Sequence, residues 1–120
     1  YIYHSENEIL SVAGLYDEWV ENSTGEHFTT FSIITTDAND MMAVIHNSKK
    51  RMPVILSRGD EKKWINMSSE LSDVYALLRP TPSDTLKAHT VGPLINDRNS
   101  DRNTPEVIRP YIYQSGSLLF

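Results

Sequence analysis

The sequence contains no cysteine. That excludes an internal disulfide, a thiolate metal site and a thiol nucleophile on these residues. Glycine is scarce too, with five in 120 residues, and none sits in a phosphate-cradling G-x-x-x-x-G-K run or a G-x-S-x-G serine elbow. The four histidines, His4, His27, His46 and His89, form no HExxH or other close ligand pair, so no metal is expected. No stretch of 18 apolar residues occurs, so no transmembrane helix and no membrane partner are expected. Positive charge is outweighed, 11 Lys and Arg against 16 Asp and Glu. A net charge of −5 argues against a non-specific nucleic-acid coat, although it leaves room for a local basic face.

What is present suits one ordinary globular domain: 39% hydrophobic and 22% charged residues. A chain of this size can bury roughly 65% of its extended surface. It opens on "YIYHSENE", which reads as a strand already under way and suggests a piece of a longer protein. Residues 1–3 and 9–13 are expected to form a hairpin around a polar turn. Gly25 can take positive φ in a turn over 22–25. "FTTFSIITT" is dense in β-branched and aromatic residues and predicts a strand. Thr36 or Asp37 is the expected cap of a helix starting near Ala38, with Met41, Met42, Val44 and Ile45 on its apolar face and His46 at its end. Asn47 and Ser48 then release the chain, and residues 52–56 read as a strand with Pro53 at its start or edge. Two short helices follow, the second capped by Ser68 or Ser69 and ended by Pro80. Residues 88–91 are expected to be extended, and 108–113 to return as a strand broken by Pro110. Interleaved strands and short helices imply an α+β fold.

The chemistry concentrates in "VIHNSKKRMPVILS". His46 can donate and accept a proton near neutrality, and it can equally be a helix-terminal histidine bonded to backbone. Arg51 is a planar five-donor anion ligand. Lys49 and Lys50 add positive potential, or simply form a solvated loop. His89, in "KAHTV", reads as a structural or site-wall residue. Asn96, Arg98, Asn99, Arg102 and Asn103 lie in a polar segment where arginines can meet phosphate and asparagines can hold loop backbone. Asp17 and Glu18 are neighbours on a strand and point to opposite faces, so they form no acid/base dyad. Gly14 marks a bulge or a close approach.

"FTTFSIITTDANDMMAVIHNSKKRMPVIL" resembles the core signature of the SRAP family, the SOS response-associated peptidase-like proteins: a strand ending in "TT", a helix with Ala-Asn, a histidine, then "RMPVIL". "YIYHSENEILSVAGLYDEW" resembles the family's preceding aromatic strand and "AGLY/W" segment, and "HTVGPLIND" its later "HPVS" strand. The resemblance implies a mostly antiparallel curved sheet or partly open β-barrel with short peripheral helices. It implies a bacterial, cytoplasmic, nucleoid-associated protein of the DNA-damage response that senses abasic sites in single-stranded DNA without a cofactor. In that family an N-terminal cysteine, freed by autocatalytic loss of Met, closes a thiazolidine with the sugar aldehyde, and a β-elimination activity accompanies it. The family's histidine maps to His46, as general acid/base, and its phosphate-binding arginine to Arg51. One residue usually separates the two, whereas residues 47–50 intervene here. The cysteine is absent, and the catalytic asparagine and glutamate motifs precede the aromatic strand matched by residues 1–3. Glu18 is therefore not the catalytic glutamate, although "GLYDEW" imitates its motif. The chain is expected to be the C-terminal portion of one SRAP-like domain, inactive alone, needing the N-terminal segment or a completing chain. The alternatives are a non-catalytic single-stranded-DNA-binding remnant, a structural or interaction domain, and a peptidase acting on other proteins.

Overall fold

The structure is a computed structural model and describes residues 1–6, 9–46, 48–66 and 68–114. It divides into two compact units, one built from Tyr1–Ile9 and Asp84–Phe120, the other from Leu10–Ser83. The fold is α+β, as expected. All four strand pairings are antiparallel two-stranded sheets, and they close no barrel among the described residues. No helix is long and apolar enough to cross a membrane among those residues.

The Leu10–Ser83 unit is organised by three broken strands. The first is β2 (Ser11–Val12) and β3 (Gly14–Val20), interrupted at Ala13; the second is β4 (His27–Ile33) and β5 (Thr35–Asp37), interrupted at Ile34; the third is β6 (Arg51–Pro53) and β7 (Ile55–Leu56), interrupted at Val54. Each strand changes partner at its break, because β3 pairs with β4, β5 with β6 and β7 with β2. The three interrupting residues bond in a ring. Ala13 N–H donates to Val54 O (2.9 Å), Val54 N–H to Ile34 O (2.9 Å) and Ile34 N–H to Ala13 O (3.0 Å). Every backbone group at the crossing is thereby satisfied without water. Ala13 and Val54 expose none of their surface and Met52 only 1%. The core sits at this triangle. Gly14 follows it because a Cβ there would lie 3.0 Å from Ser32 O, and the hairpin turn is served by Gly25 at φ +74°.

The helices of this unit are short. α1 (Asp40–Ile45) begins at Asn39, whose side chain accepts from Met42 N–H, and ends at His46. The expected caps Thr36 and Asp37 instead belong to β5, where ladder pairing with Met52 and Arg51 holds them extended. α2 (Arg58–Ile65) is capped by Ser57, and the Trp64 indole N–H donates to Gly14 O (3.2 Å). α3 (Leu71–Tyr75) starts from Glu70 with no side-chain cap. Ser69, the expected cap, donates its hydroxyl to Lys63 O at the end of α2. α3 stops before Pro80, so the proline does not end it.

One acidic side chain ties α2 down. Asp60 accepts from Ser57 Oγ (2.8 Å) and pairs with Lys63 (3.3 Å) and Arg79 (3.5 Å). The Ser57 hydroxyl above all, then the two cations, hold its pKa below the ordinary 3.8 against the opposing effect of desolvation. A depressed carboxylate contributes stability above its unfolded pKa and loses it as pH falls through the folded one. Asp60→Asn should therefore flatten the fall in melting temperature between about pH 5 and pH 2, measured by circular dichroism.

In the other unit, β1 (Ile2–His4) pairs with β8 (Leu86–Ala88). Tyr1 and His89 extend that ladder, with Tyr1 N donating to His89 O (2.8 Å) and His89 N–H to Tyr1 O (3.0 Å). The expected hairpin of residues 1–3 with 9–13 does not form, because β1 and β2 each take a partner distant in sequence. The last expected strand is also replaced. Pro105 opens a 3-10 turn, Pro105–Ile108, which buries Val107. Pro110 cannot donate to a ladder, and only an isolated bridge to Val91 remains.

Candidate functional site

His46 is placed by α1 and held from three sides. Its N–H donates to Met42 O (2.8 Å), its carbonyl accepts from Lys50 N–H (3.1 Å), and ring Nδ1 lies 3.2 Å from Arg51 O. A carbonyl only accepts, so Nδ1 donates in this contact, and Nε2 is the ring nitrogen that it leaves over. The imidazole is exposed. It is therefore oriented and open to a ligand, with Nε2 as the nitrogen available for proton exchange.

Arg51 is the first residue of β6. Its Cα partner is Asp37, yet its guanidinium donates to the Thr35 hydroxyl. Lys50 stands at φ +48°, the one positive-φ residue other than glycine among the described residues. Its carbonyl accepts from Ala38 N–H (2.9 Å), which locks the end of the loop against β5. Lys49, Lys50 and Arg51 are exposed, and no carboxylate among the described residues neutralises them. An oriented imidazole and three cations with no salt bridge among the described residues thus fall within a six-residue stretch. Asn47, within the expected release of the chain, lies outside the described residues.

The other candidates belong to the second unit. His89 Nε2 lies 2.7 Å from Ile108 O and therefore donates to it; its ring packs on Tyr1 and Tyr3, with centroids 5.4 and 5.8 Å away. Asn96 ends the 3-10 turn Pro93–Asn96 and is exposed, as is Arg98. The loop backbone is held by aspartates rather than by the asparagines expected to do so. Asp97 Oδ1 accepts from Asn99 N–H and Asp101 Oδ1 from Asn103 N–H, both at 2.9 Å. The doubled "DRN" of "DRNSDRN" was the available signal, because an aspartate closes such a turn on the N–H two residues on. Hydrogen bonds from Ser100 and Asn99 also hold Asp97 below the usual carboxylate range. Sequence reasoning missed Asn39 as the helix cap and Thr35 as the partner of Arg51.

A strand–helix–histidine–strand unit with this ending defines a class. The family model for SOS response associated peptidase (SRAP) matches residues 1–98, and the chain belongs to that family. It is similar to the abasic site processing protein YoqW of Bacillus subtilis (strain 168), 36% identical over 106 residues that make up 88% of this chain and 45% of the relative. It is also similar to the abasic site processing protein HMCES of Gallus gallus, 35% identical over 104 residues, 85% of this chain and 29% of the relative. A solved crystal structure of a Bacteroides thetaiotaomicron protein superposes with a TM-score of 0.84 at 36% identity, covering 93% of this chain and 47% of that one. The chain spans less than half the length of these curated relatives.

Proposed function

We propose that this chain is the C-terminal, histidine-bearing part of an SRAP domain, and that the whole domain processes abasic sites in single-stranded DNA by covalent capture. The observation that carries this is His46: an exposed imidazole with Nδ1 committed to Arg51 O, followed in sequence by three exposed cations that form no salt bridge among the described residues. Arg51, Lys49 and Lys50 hold the phosphates flanking the lesion through charge-assisted contacts. An N-terminal cysteine on a segment this chain lacks supplies amine and thiol. The amine condenses with the ring-opened aldehyde and releases water, and the thiol adds across the C=N bond to close the thiazolidine. His46 moves the protons of ring opening and condensation. Autocatalytic loss of the initiator Met frees the cysteine, and the location is the cytoplasm, at the nucleoid.

The hairpin β3–β4 supports an incomplete domain. All of its strand residues except Gly14 are exposed. Both faces carry bare apolar side chains, Leu15, Trp19 and Phe28 on one, Tyr16, Phe31 and Ile33 on the other. So much apolar surface marks an interface. Its occupant in this reading is the remainder of the domain, because the similar solved structure is about twice as long as the part this chain covers.

The test combines the intact mass of the encoded protein with a denaturing gel after mixing it with single-stranded DNA bearing one abasic site. An N-terminal cysteine in the mass and a covalent band are expected from the encoded protein, and no band from residues 1–120 alone. The amides of Gly14–Val20 and His27–Ile33 should exchange more slowly in the encoded protein than in this chain. Absence of a covalent band from a cysteine-bearing encoded protein would overturn the catalytic reading and leave DNA binding without chemistry.

A further inference from the structure

We propose that Asn39 is a positioning residue for His46, acting along α1 from an anchor at Thr81; the proposal rests on His46 being the acid/base group described above. α1 has six residues and buries none of them. A helix so short does not sustain itself, and its apolar side chains are half-buried or exposed. Polar contacts at its two ends therefore contribute to holding it.

Asn39 has both a donor and an acceptor to offer. Its Oδ1 accepts from Met42 N–H (2.9 Å), and its Nδ2 donates to Thr81 O (2.7 Å). Thr81 is itself held, because its hydroxyl donates to Ile55 O on β7 (3.0 Å). The next link is Met42, whose carbonyl receives His46 N–H (2.8 Å). A continuous path thus runs from β7 through Thr81, Asn39 and Met42 to the backbone of His46, whose ring then meets Arg51 O on β6. Ser83 adds a contact at the same helix end, with its hydroxyl 3.5 Å from Met41 N. Aspartate or serine would cap α1 as well as asparagine does. Neither would offer the amide donor, and aspartate would set a carboxylate against the Thr81 carbonyl. Only an amide both caps this helix and ties it down.

That difference makes the proposal testable apart from stability. In the 15N-labelled encoded protein, the His46 ring should show the Nδ1–H tautomer in long-range 1H–15N spectra. Asn39→Asp and Asn39→Ser should leave the protein folded by circular dichroism, at a lowered melting temperature, while the His46 ring shifts toward mixed tautomers. In the encoded protein, Asn39→Asp should slow adduct formation at saturating DNA roughly 10–100-fold and add less than about twofold in a His46→Gln background, because its effect passes through the imidazole. An unchanged His46 tautomer in both variants would overturn the proposal, as would full additivity with His46→Gln. A tautomer shift in an encoded protein that forms no adduct would support the positioning role and discard the functional reading beneath it.

Discussion

Replacing His46 with glutamine should slow covalent capture of abasic single-stranded DNA by the encoded protein about 10²- to 10⁴-fold, the usual range for a lost general acid/base. The fold should hardly notice. His46 is exposed, and a glutamine amide can still donate to Arg51 O in place of Nδ1. Surface changes of this kind stay within about 0.5 kcal/mol. The glutamine lacks a titratable lone pair where Nε2 stands, so proton transfer alone is removed. Single-turnover rates on denaturing gels, with DNA affinity measured in parallel, separate the two effects. The rate should fall with affinity preserved. An unaltered rate would return His46 to the role of a helix terminator and leave the open imidazole without a task.

The second large effect concerns the triangle. Ala13→Leu should destabilise the chain by about 1–3 kcal/mol, lowering the melting temperature by roughly 4 °C per kcal/mol. Ala13 exposes no surface, and its N–H and carbonyl both belong to the hydrogen-bonded ring with Val54 and Ile34. Three added carbons can be housed only by opening that ring, and each bond lengthened strands a buried polar group. Val12→Leu is the control. It lies one residue away and is 41% exposed, so the same side chain there should cost little. Equal melting temperatures for the two variants would show that the crossing is loose and that the core lies elsewhere.

The strands of the Leu10–Ser83 unit, the two helices on either side of Met67 and the helix ending at His46 were legible in the sequence, because each is announced by local periodicity and turn chemistry. The strand expected at 108–113 was not there, and the extended piece expected at 88–91 lies at Leu86–Ala88. Pairing was not legible. Residues 1–3 look like half of a hairpin, but their partner is Leu86–Ala88, and nothing local encodes a partner so distant. Caps failed for a related reason. Thr36, Asp37, Ser68 and Ser69 are all competent caps, and the choice among competent caps was decided by ladder pairing and by the needs of a neighbouring helix. His46, Lys49, Lys50 and Arg51 were found from residue type and spacing. That Nδ1 rather than Nε2 is committed could come only from the position of Arg51 O.

The segment between His46 and Arg51 is closed at both ends, Lys50 N–H onto His46 O and Ala38 N–H onto Lys50 O. A loop whose feet are clamped can vary in length and sequence without moving what it joins, since added residues cost only a slowly growing closure entropy. His46 and Arg51 thus stand at the two feet of a short spacer, whose length can change before either foot is disturbed.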